Sequence, residues 1–344
     1  MTSTRKFLLA AVVTATAIVG AYAYAWNYQF GAPLEGAYDV AHWEILKDYA
    51  ADHTPGQRVL VAGDSNVLFG LDSDAATKAL GVQTLNLGLH AGLPLNRILE
   101  VAERNVRPGD TVVLPLWWGY YVNDYRVPND WYTDQMIAWD SDFFDRLPFL
   151  LKLRYVAAVS PMDLYDNIET QNDRAAILKK NPWRTVLTPV QAMVTWKEYA
   201  PQQKEFAYSY LNMTARGDIR HTCGVHYAAK GADYALAPGW KPSKASMDYF
   251  EGVVRELEDK GATVYVVAPV MVDDATSRSA WMTAVTKSIW DELRARRIKT
   301  LGAPDTFMFP ASAFFNTSLH LNCDAAEDRT RRLVNLLVVP KPSF

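Results

Sequence analysis

Cysteine, histidine and clustered basic residues are scarce in this sequence, and each scarcity excludes a class of protein. The 344 residues include two cysteines, Cys223 and Cys323, which are too few for a disulfide scaffold. The six histidines are scattered without the spacing of metal ligands, so we expect no metal and no cofactor. Lysine and arginine total 35 against 38 acidic residues, with no basic stripe, so no nucleic-acid partner is expected.

Internal repeats and low-complexity tracts are also absent, and the composition is that of a folded protein. Hydrophobic residues make up 49% and charged residues 21%, which argues against disorder. The chain is long enough for one large domain or two modest ones. The sequence leaves open whether Cys223 and Cys323 pair, which they can do outside the cytoplasm.

One long hydrophobic run is present, at the N-terminus. Arg5 and Lys6 precede an apolar stretch over residues 7–26, close to the roughly 20 residues that cross a bilayer as a helix. The cations in front place the N-terminus in the cytoplasm and the rest of the chain outside. Residues 1–26 are therefore predicted to be an uncleaved anchor in the bacterial cytoplasmic membrane. The alternative is a cleaved signal peptide and a periplasmic or secreted protein.

Alternating strand and helix patterns follow a predicted connector over residues 27–56. Apolar runs that end at glycine or proline are typical of buried parallel strands, and helical spacing between them predicts crossovers. Strands are predicted over 58–62, 82–87, 111–116, 262–268 and 298–301, and helices over 74–80, 94–106, 244–259, 275–297 and 324–338.

The pattern predicts a three-layer α/β/α sandwich with a parallel sheet of flavodoxin-like type. Residues 57–118 and 243–344 would form this α/β domain. Residues 119–242, rich in Trp, Tyr, Pro and Asn, are predicted to be an inserted, mostly helical cap, with helices near 142–159 and 187–200.

Ser65 is the first candidate for chemistry. It follows the first predicted strand in the turn Gly63-Asp64-Ser65-Asn66. A helix that begins there would aim backbone N–H groups at a developing oxyanion. The alternative is an ordinary turn in which Ser or Asp caps a helix.

His320 is the second candidate. It lies just before the last predicted helix. A histidine near the same sheet edge can act as the base that a serine nucleophile needs. The alternative is a histidine whose ring is satisfied by neighbouring carbonyl groups.

Together these blocks resemble the SGNH/GDSL hydrolase superfamily over residues 58–118 and 244–338. The resemblance implies that Ser65 and His320 are catalytic, that the N–H groups of Ser65 and Gly88 hold the oxyanion, and that Asp64 belongs to the serine block that supports the site. Asn66 is expected either to reach the acyl oxygen or to form the turn. The family's acid falls at position 317, which is a threonine.

Four further residues are therefore tentative candidates. Thr317 stands at the position of the missing acid, Asn316 is next to it, and Asp305 is the nearest upstream carboxylate. Asn123, after the third predicted strand, is a further candidate oxyanion donor.

The predicted anchor shifts the expected substrate. The chain looks like the anchored SGNH-like proteins of alginate O-acetylation and teichoic-acid D-alanylation, which work beside a membrane-bound O-acyltransferase. By this analogy, we expect an O-acyltransferase or esterase that acts on a cell-envelope or secreted polysaccharide through an acyl-serine. The alternatives are an anchored lipase-like esterase and a non-catalytic scaffold or glycan-binding protein with this fold.

Overall fold

The computed structural model describes residues 3–199, 202, 204–219 and 222–338. The chain divides into two units. A helical unit comprises Met1–Ala41 and Pro128–Val186, and a sheet unit comprises His42–Val127 and Leu187–Phe344. The segment predicted as one cap over residues 119–242 is therefore shared between both units.

The sheet unit is built on a five-stranded parallel sheet, which confirms the predicted α/β class. Its strands are β1 (Arg58–Gly63), β2 (Gln83–Gly88), β3 (Thr111–Leu114), β4 (Thr263–Val267) and β6 (Thr300–Leu301). They lie in the order β2-β1-β3-β4-β6. The chain order reverses at β1, which lies between β2 and β3. In parallel sheets of this kind, ligands bind at such a switch point, beyond the carboxyl ends of the strands. A separate parallel pair comprises β5 (Met271–Val272) and β7 (Met308–Phe309).

The helices of the sheet unit follow the predicted periodicity closely where a single apolar face is buried. The helix over Lys244–Asp259 has the predicted bounds, begins after the capping hydroxyl of Ser243 and is followed by Gly261 at φ +89°. The helices are α3 (Ser65–Leu68), α4 (Ser73–Leu80), α5 (Leu95–Asn105), α6 (Gly119–Val122), α12 (Pro189–Tyr199), α13 (Lys244–Asp259), α14 (Ala280–Ala295) and α15 (Cys323–Val338).

The connector predicted over residues 27–56 is wrong in its centre, where the chain forms α2 (Tyr38–His53). The inward face of this helix carries charges, so no apolar stripe marks it in the sequence. Glu44 accepts hydrogen bonds from Arg97 and Arg104, and the buried Lys47 donates to the carbonyl oxygen of Asn86. Buried charges are tolerated because they are paired in this way.

The helical unit includes α1 (Ser3–Tyr28), in which an 18-residue apolar stretch has a mean hydropathy of 1.9 and is exposed. A helix of this length and composition is compatible with a membrane anchor or a signal sequence. Its last turns belong to the fold of the unit, since Trp26 is buried against Phe30 and Phe144. The other helices of this unit are α7 (Asp130–Ala138), α8 (Ser141–Arg146), α9 (Phe149–Ala158), α10 (Pro161–Asn172) and α11 (Arg174–Lys180).

A disulfide joins Cys223 to Cys323, the first residue of α15, across a sequence separation of 100 residues. The sequence had left this pairing open. The bridge fastens the loop around residue 223 to the segment that carries His320.

Candidate active site

Ser65 lies just beyond the carboxyl end of β1, where the predicted nucleophile turn becomes a short helix. It is the first residue of α3, so its N–H has no acceptor within the helix. Asp64 caps the helix, because its Oδ1 accepts the Asn66 N–H at 2.9 Å. Its Oδ2 accepts the Trp117 N–H at 2.7 Å, which ties the turn to the chain beyond β3. Burial raises the pKa of the Asp64 carboxyl, and these hydrogen bonds oppose the shift.

Asn66 holds the turn together and has no amide group left for a substrate. Its Nδ2 donates to Asp64 Oδ1 and to the Pro115 carbonyl oxygen, each at 2.7 Å. Its Oδ1 accepts Arg329 Nη2 at 2.8 Å, and its side chain is fully buried. The expectation that Asn66 reaches the acyl oxygen is therefore not met; the residue supports the turn instead.

Arg329, on α15, is a buried residue that the sequence analysis missed. Its Nη1 donates to the carbonyl oxygens of Asn66 at 2.6 Å and Gly70 at 3.1 Å, so α15 clamps both ends of α3. Burial lowers the pKa of its guanidinium to about 10, and the charge of Asp64 opposes this. A lone arginine in a charged helix gives no sequence signal of such a role.

His320 is oriented by Asn316 rather than by a carboxylate. The Nδ1 of His320 lies 2.8 Å from Asn316 Oδ1 and 3.1 Å from the Tyr208 hydroxyl. The Asn316 Nδ2 donates to that same hydroxyl at 2.8 Å. An amide oxygen only accepts hydrogen bonds, so this arrangement assigns the proton to Nδ1 and leaves Nε2 as the basic nitrogen.

The imidazole of His320 lies against the helix that Ser65 begins. It stacks on the ring of Phe69 at 4.3 Å between centroids, and the Phe69 N–H donates to the Ser65 carbonyl oxygen. Ser65 is 3% exposed and His320 is 5% exposed. Burial, with a smaller contribution from the charge of His90, lowers the pKa of His320 to about 3, so the ring is neutral near pH 7.

Gly88 ends β2 opposite Gly63, as predicted, but its N–H is not available to an oxyanion. The N–H donates to Asn86 Oδ1 at 2.9 Å. A Cβ at this position would lie 2.5 Å from the Leu68 nitrogen. The glycine is therefore required by the close approach of α3, and its expected role as an oxyanion donor is not supported.

The other tentative residues lie elsewhere or have other partners. The Thr317 hydroxyl accepts the Leu319 N–H at 3.2 Å, so Asn316 takes the place beside His320 Nδ1. Asp305 lines a cavity of about 520 Å³ between α14 and the chain after β6, and neither Ser65 nor His320 lines this cavity. Asn123 is exposed at the end of α6.

Aromatic residues from beyond β3 and from the inserted segment contact the Ser65 turn and His320. Trp117, beyond β3, donates its indole N–H to the Tyr234 carbonyl oxygen at 3.3 Å. The Tyr208 ring packs edge-on against Phe69 at 5.2 Å. The position of Trp117 follows from the strand pattern, whereas Tyr208 and Tyr234 lie in irregular chain that no periodicity marks.

Comparisons with known proteins give little further information. No family model and no curated protein matches the chain. Protein YxiM of Bacillus subtilis, a solved crystal structure, is similar at 12% identity with a TM-score of 0.35. The match covers 83% of this chain and 56% of that one, so this chain spans about half the length of YxiM.

Proposed function

We propose that the sheet unit is an SGNH-like serine acyl-ester enzyme, an O-acyltransferase or esterase with Ser65 as nucleophile and His320 as base. The observation that carries this proposal is the 2.8 Å contact between Asn316 Oδ1 and His320 Nδ1. It fixes the tautomer in which Nε2 can take a proton, on a ring that stacks one helical turn from Ser65. A base oriented by a third group is the arrangement that activates a serine.

The reaction would proceed in two steps, the acylation of Ser65 and its deacylation. In the first, Ser65 Oγ attacks the acyl carbon, His320 Nε2 takes the hydroxyl proton, and the leaving alcohol takes that proton as its C–O bond breaks. In the second, water or a sugar hydroxyl gives its proton to His320 and attacks the acyl carbon. The bond between Ser65 Oγ and the acyl carbon then breaks, and His320 returns the proton to Ser65 Oγ. The Ser65 N–H, without an acceptor inside α3, is the donor toward the oxyanion. Asparagine in the third position orients a catalytic histidine in some cysteine proteases.

The substrate would be a polysaccharide of the cell envelope or a secreted polysaccharide, met at the outer surface of the cytoplasmic membrane. The apolar α1 supports an anchor there. The Cys223–Cys323 disulfide supports an oxidising compartment, because such bonds are rare in the cytosol. A membrane-bound O-acyltransferase as acyl donor follows from the resemblance alone.

A non-catalytic binding or scaffold protein is the second candidate, and the closure of the site favours it. Ser65 and His320 are 3% and 5% exposed, so a substrate needs the surrounding aromatic side chains to move. The pKa of about 3 makes His320 a weak base, and Asn316 adds no negative charge to strengthen it.

The test is acylation of the full chain in detergent by p-nitrophenyl acetate, followed by intact mass and product release. We expect turnover or an acyl adduct in the wild type and neither in Ser65→Ala or His320→Ala. The matched control is Ser288→Ala on α14, where the hydroxyl donates only to the Val285 carbonyl oxygen. Addition of glycan acceptors then separates transfer from hydrolysis.

The opposite outcome is also defined. A wild type that behaves like Ser65→Ala, and that a small fluorophosphonate also leaves unlabelled, would overturn the enzyme proposal. The binding or scaffold role would then be the better account.

A further inference from the structure

The helical unit exposes a large apolar face on α9 that the proposed chemistry does not use. Phe149 and Leu150 are 71% and 72% exposed, and Leu153 is 47% exposed. These positions fall on one side of the helix, opposite the buried Leu151 and Tyr155. Contiguous apolar surface of this kind is uncommon on soluble proteins and marks an interaction surface.

The first turn of α10 carries two further exposed apolar residues. Met162 and Tyr165 lie three residues apart on the helix and are 67% and 57% exposed. Only two residues, Val159 and Ser160, separate α10 from α9. We call the five exposed residues the apolar face; they are Phe149, Leu150, Leu153, Met162 and Tyr165.

The apolar face adjoins the outer end of α1. The hydroxyl of Tyr22 lies 3.5 Å from the Val156 carbonyl oxygen on α9, and the hydroxyl of Tyr28 donates to Asn172 Oδ1 on α10 at 2.8 Å. Tyr22 lies within the apolar run, about 6 Å along the helix axis before Trp26. If α1 crosses the membrane, the end of α9 therefore lies level with the outer edge of the hydrocarbon layer.

We propose that the apolar face rests in the outer leaflet of the bilayer that α1 crosses, and that the helical unit is thereby docked on the membrane surface. This inference rests on the proposed membrane anchor. Helices with one apolar face lie in this way at the boundary between headgroups and acyl chains. The two helices that carry this face contact α1 through Tyr22 and Tyr28, and the apolar stretch of α1 is itself exposed.

A single spanning helix leaves a protein free to rotate about the helix axis. Contact of the apolar face with lipid would fix that rotation for the helical unit.

The experiment uses the full chain in lipid nanodiscs, with a spin label on one introduced cysteine at a time. The collision rate of each label with oxygen, which enters lipid, is compared with that of a water-soluble nickel chelate. The sites are Leu150→Cys on the apolar face, Val13→Cys within α1, and Lys179→Cys at the exposed end of α11 as the matched control. The wild type, with its two cysteines in a disulfide, is the labelling blank.

We expect the ratio of oxygen to nickel collisions at Leu150→Cys and Val13→Cys to exceed the ratio at Lys179→Cys severalfold. A lipid-like value at Val13→Cys with a water-like value at Leu150→Cys would overturn the docking and leave the anchor. That is also the result if the face binds a membrane protein instead, since none is present. Water-like values at both sites would overturn the docking and the anchor together. Phe149→Cys repeats the measurement on the same face.

Discussion

At the scale of single residues, Asn316 determines what His320 can do as a base. Its amide oxygen lies 2.8 Å from His320 Nδ1 and accepts the proton on that nitrogen, so Nε2 is the basic nitrogen. It carries no charge, however, and burial keeps the pKa of His320 near 3. A carboxylate in the same place would favour the protonated ring that the proposed attack by Ser65 would form.

Asn316→Asp is therefore expected to raise esterase activity. The new charge beside Nδ1 raises the pKa of His320 and stabilises the imidazolium ion. Since exchange of the acid for an amide costs a serine protease about 10⁴ in kcat, we expect a gain of at least about tenfold in kcat/KM. The measurement is p-nitrophenyl acetate hydrolysis across pH.

The matched control is Asn316→Leu, which keeps the volume and removes the acceptor. It should lower the rate below that of the wild type, because the ring is no longer held in one tautomer. If Asn316→Asp left the rate unchanged in a stably folded protein, His320 would not be acting as the base.

The sequence suggested Ser65 and His320 as candidates but did not reveal the residues that contact them, and the reason is the shape of short turns. The expected acid position was 317, yet the chain folds back so that the Phe315 N–H donates to the His320 carbonyl oxygen. This turn directs residue 316 toward the ring instead. Gly88 is a similar case, since its place at the end of β2 was predicted and the capture of its N–H by Asn86 was not.

At the scale of elements, α15 and α3 act as one assembly joined by Arg329. The guanidinium donates to Asn66 Oδ1, to the Asn66 carbonyl oxygen and to the Gly70 carbonyl oxygen, and it is 2% exposed. All these acceptors belong to the turn that positions Ser65. The position of Ser65 therefore depends on the last helix as well as on its own strand.

Arg329→Met is expected to reduce the free energy of unfolding by about 3–5 kcal/mol, because buried acceptors and the Asp64 charge lose their partner. Urea denaturation of the full chain in detergent measures this change. Arg329→Lys keeps the charge but cannot reach all the acceptors, so its loss should be intermediate. A fully stable Arg329→Met protein would contradict the clamp.

Elements with one apolar face were predictable, and elements that bury charge were not. The periodicity of Phe250, Val253, Val254 and Leu257 gave the bounds of α13. In α2 the buried positions include Glu44, whose partners lie on α5, more than fifty residues further along the chain. A local sequence pattern does not reveal partners at that distance, so the sequence predicts a connector here instead of a helix.

At the scale of the whole molecule, buried histidines couple stability to pH. Burial lowers the pKa of His42 and of His90 to about 4 each. Both accept backbone hydrogen bonds, His42 Nε2 from Leu187 and His90 Nδ1 from Gly92. Protonation of those nitrogens would break the bonds, so the folded chain resists it.

Stability of the sheet unit is expected to fall as the pH drops from about 6.5 towards 4. In the unfolded chain a histidine titrates near pH 6.5, so between these values the unfolded state binds more protons than the folded state. Each buried histidine then removes roughly 1–2 kcal/mol between pH 7 and pH 5. Urea denaturation at the two pH values measures the difference.

His42→Gln should reduce this pH dependence, because it removes one titrating group. His53→Gln, at an exposed histidine on the same helix, is the matched control and should leave the dependence unchanged. Equal pH dependence in all three proteins would contradict the coupling.

The division of the molecule could not be read from the sequence. The inserted segment was predicted as one cap, yet residues 128–186 belong to the helical unit and the chain from Leu187 belongs to the sheet unit. Helical spacing reveals that a face is buried but not which surface covers it.

The contact between Arg329 and Asn66 also determines when, during synthesis of the chain, the Ser65 turn can reach its folded geometry. These residues lie 263 positions apart in the chain. During synthesis the Ser65 turn is therefore made well before Arg329. Until α15 has been made and has docked, the turn lacks the arginine that holds both the Asn66 and the Gly70 carbonyl oxygens.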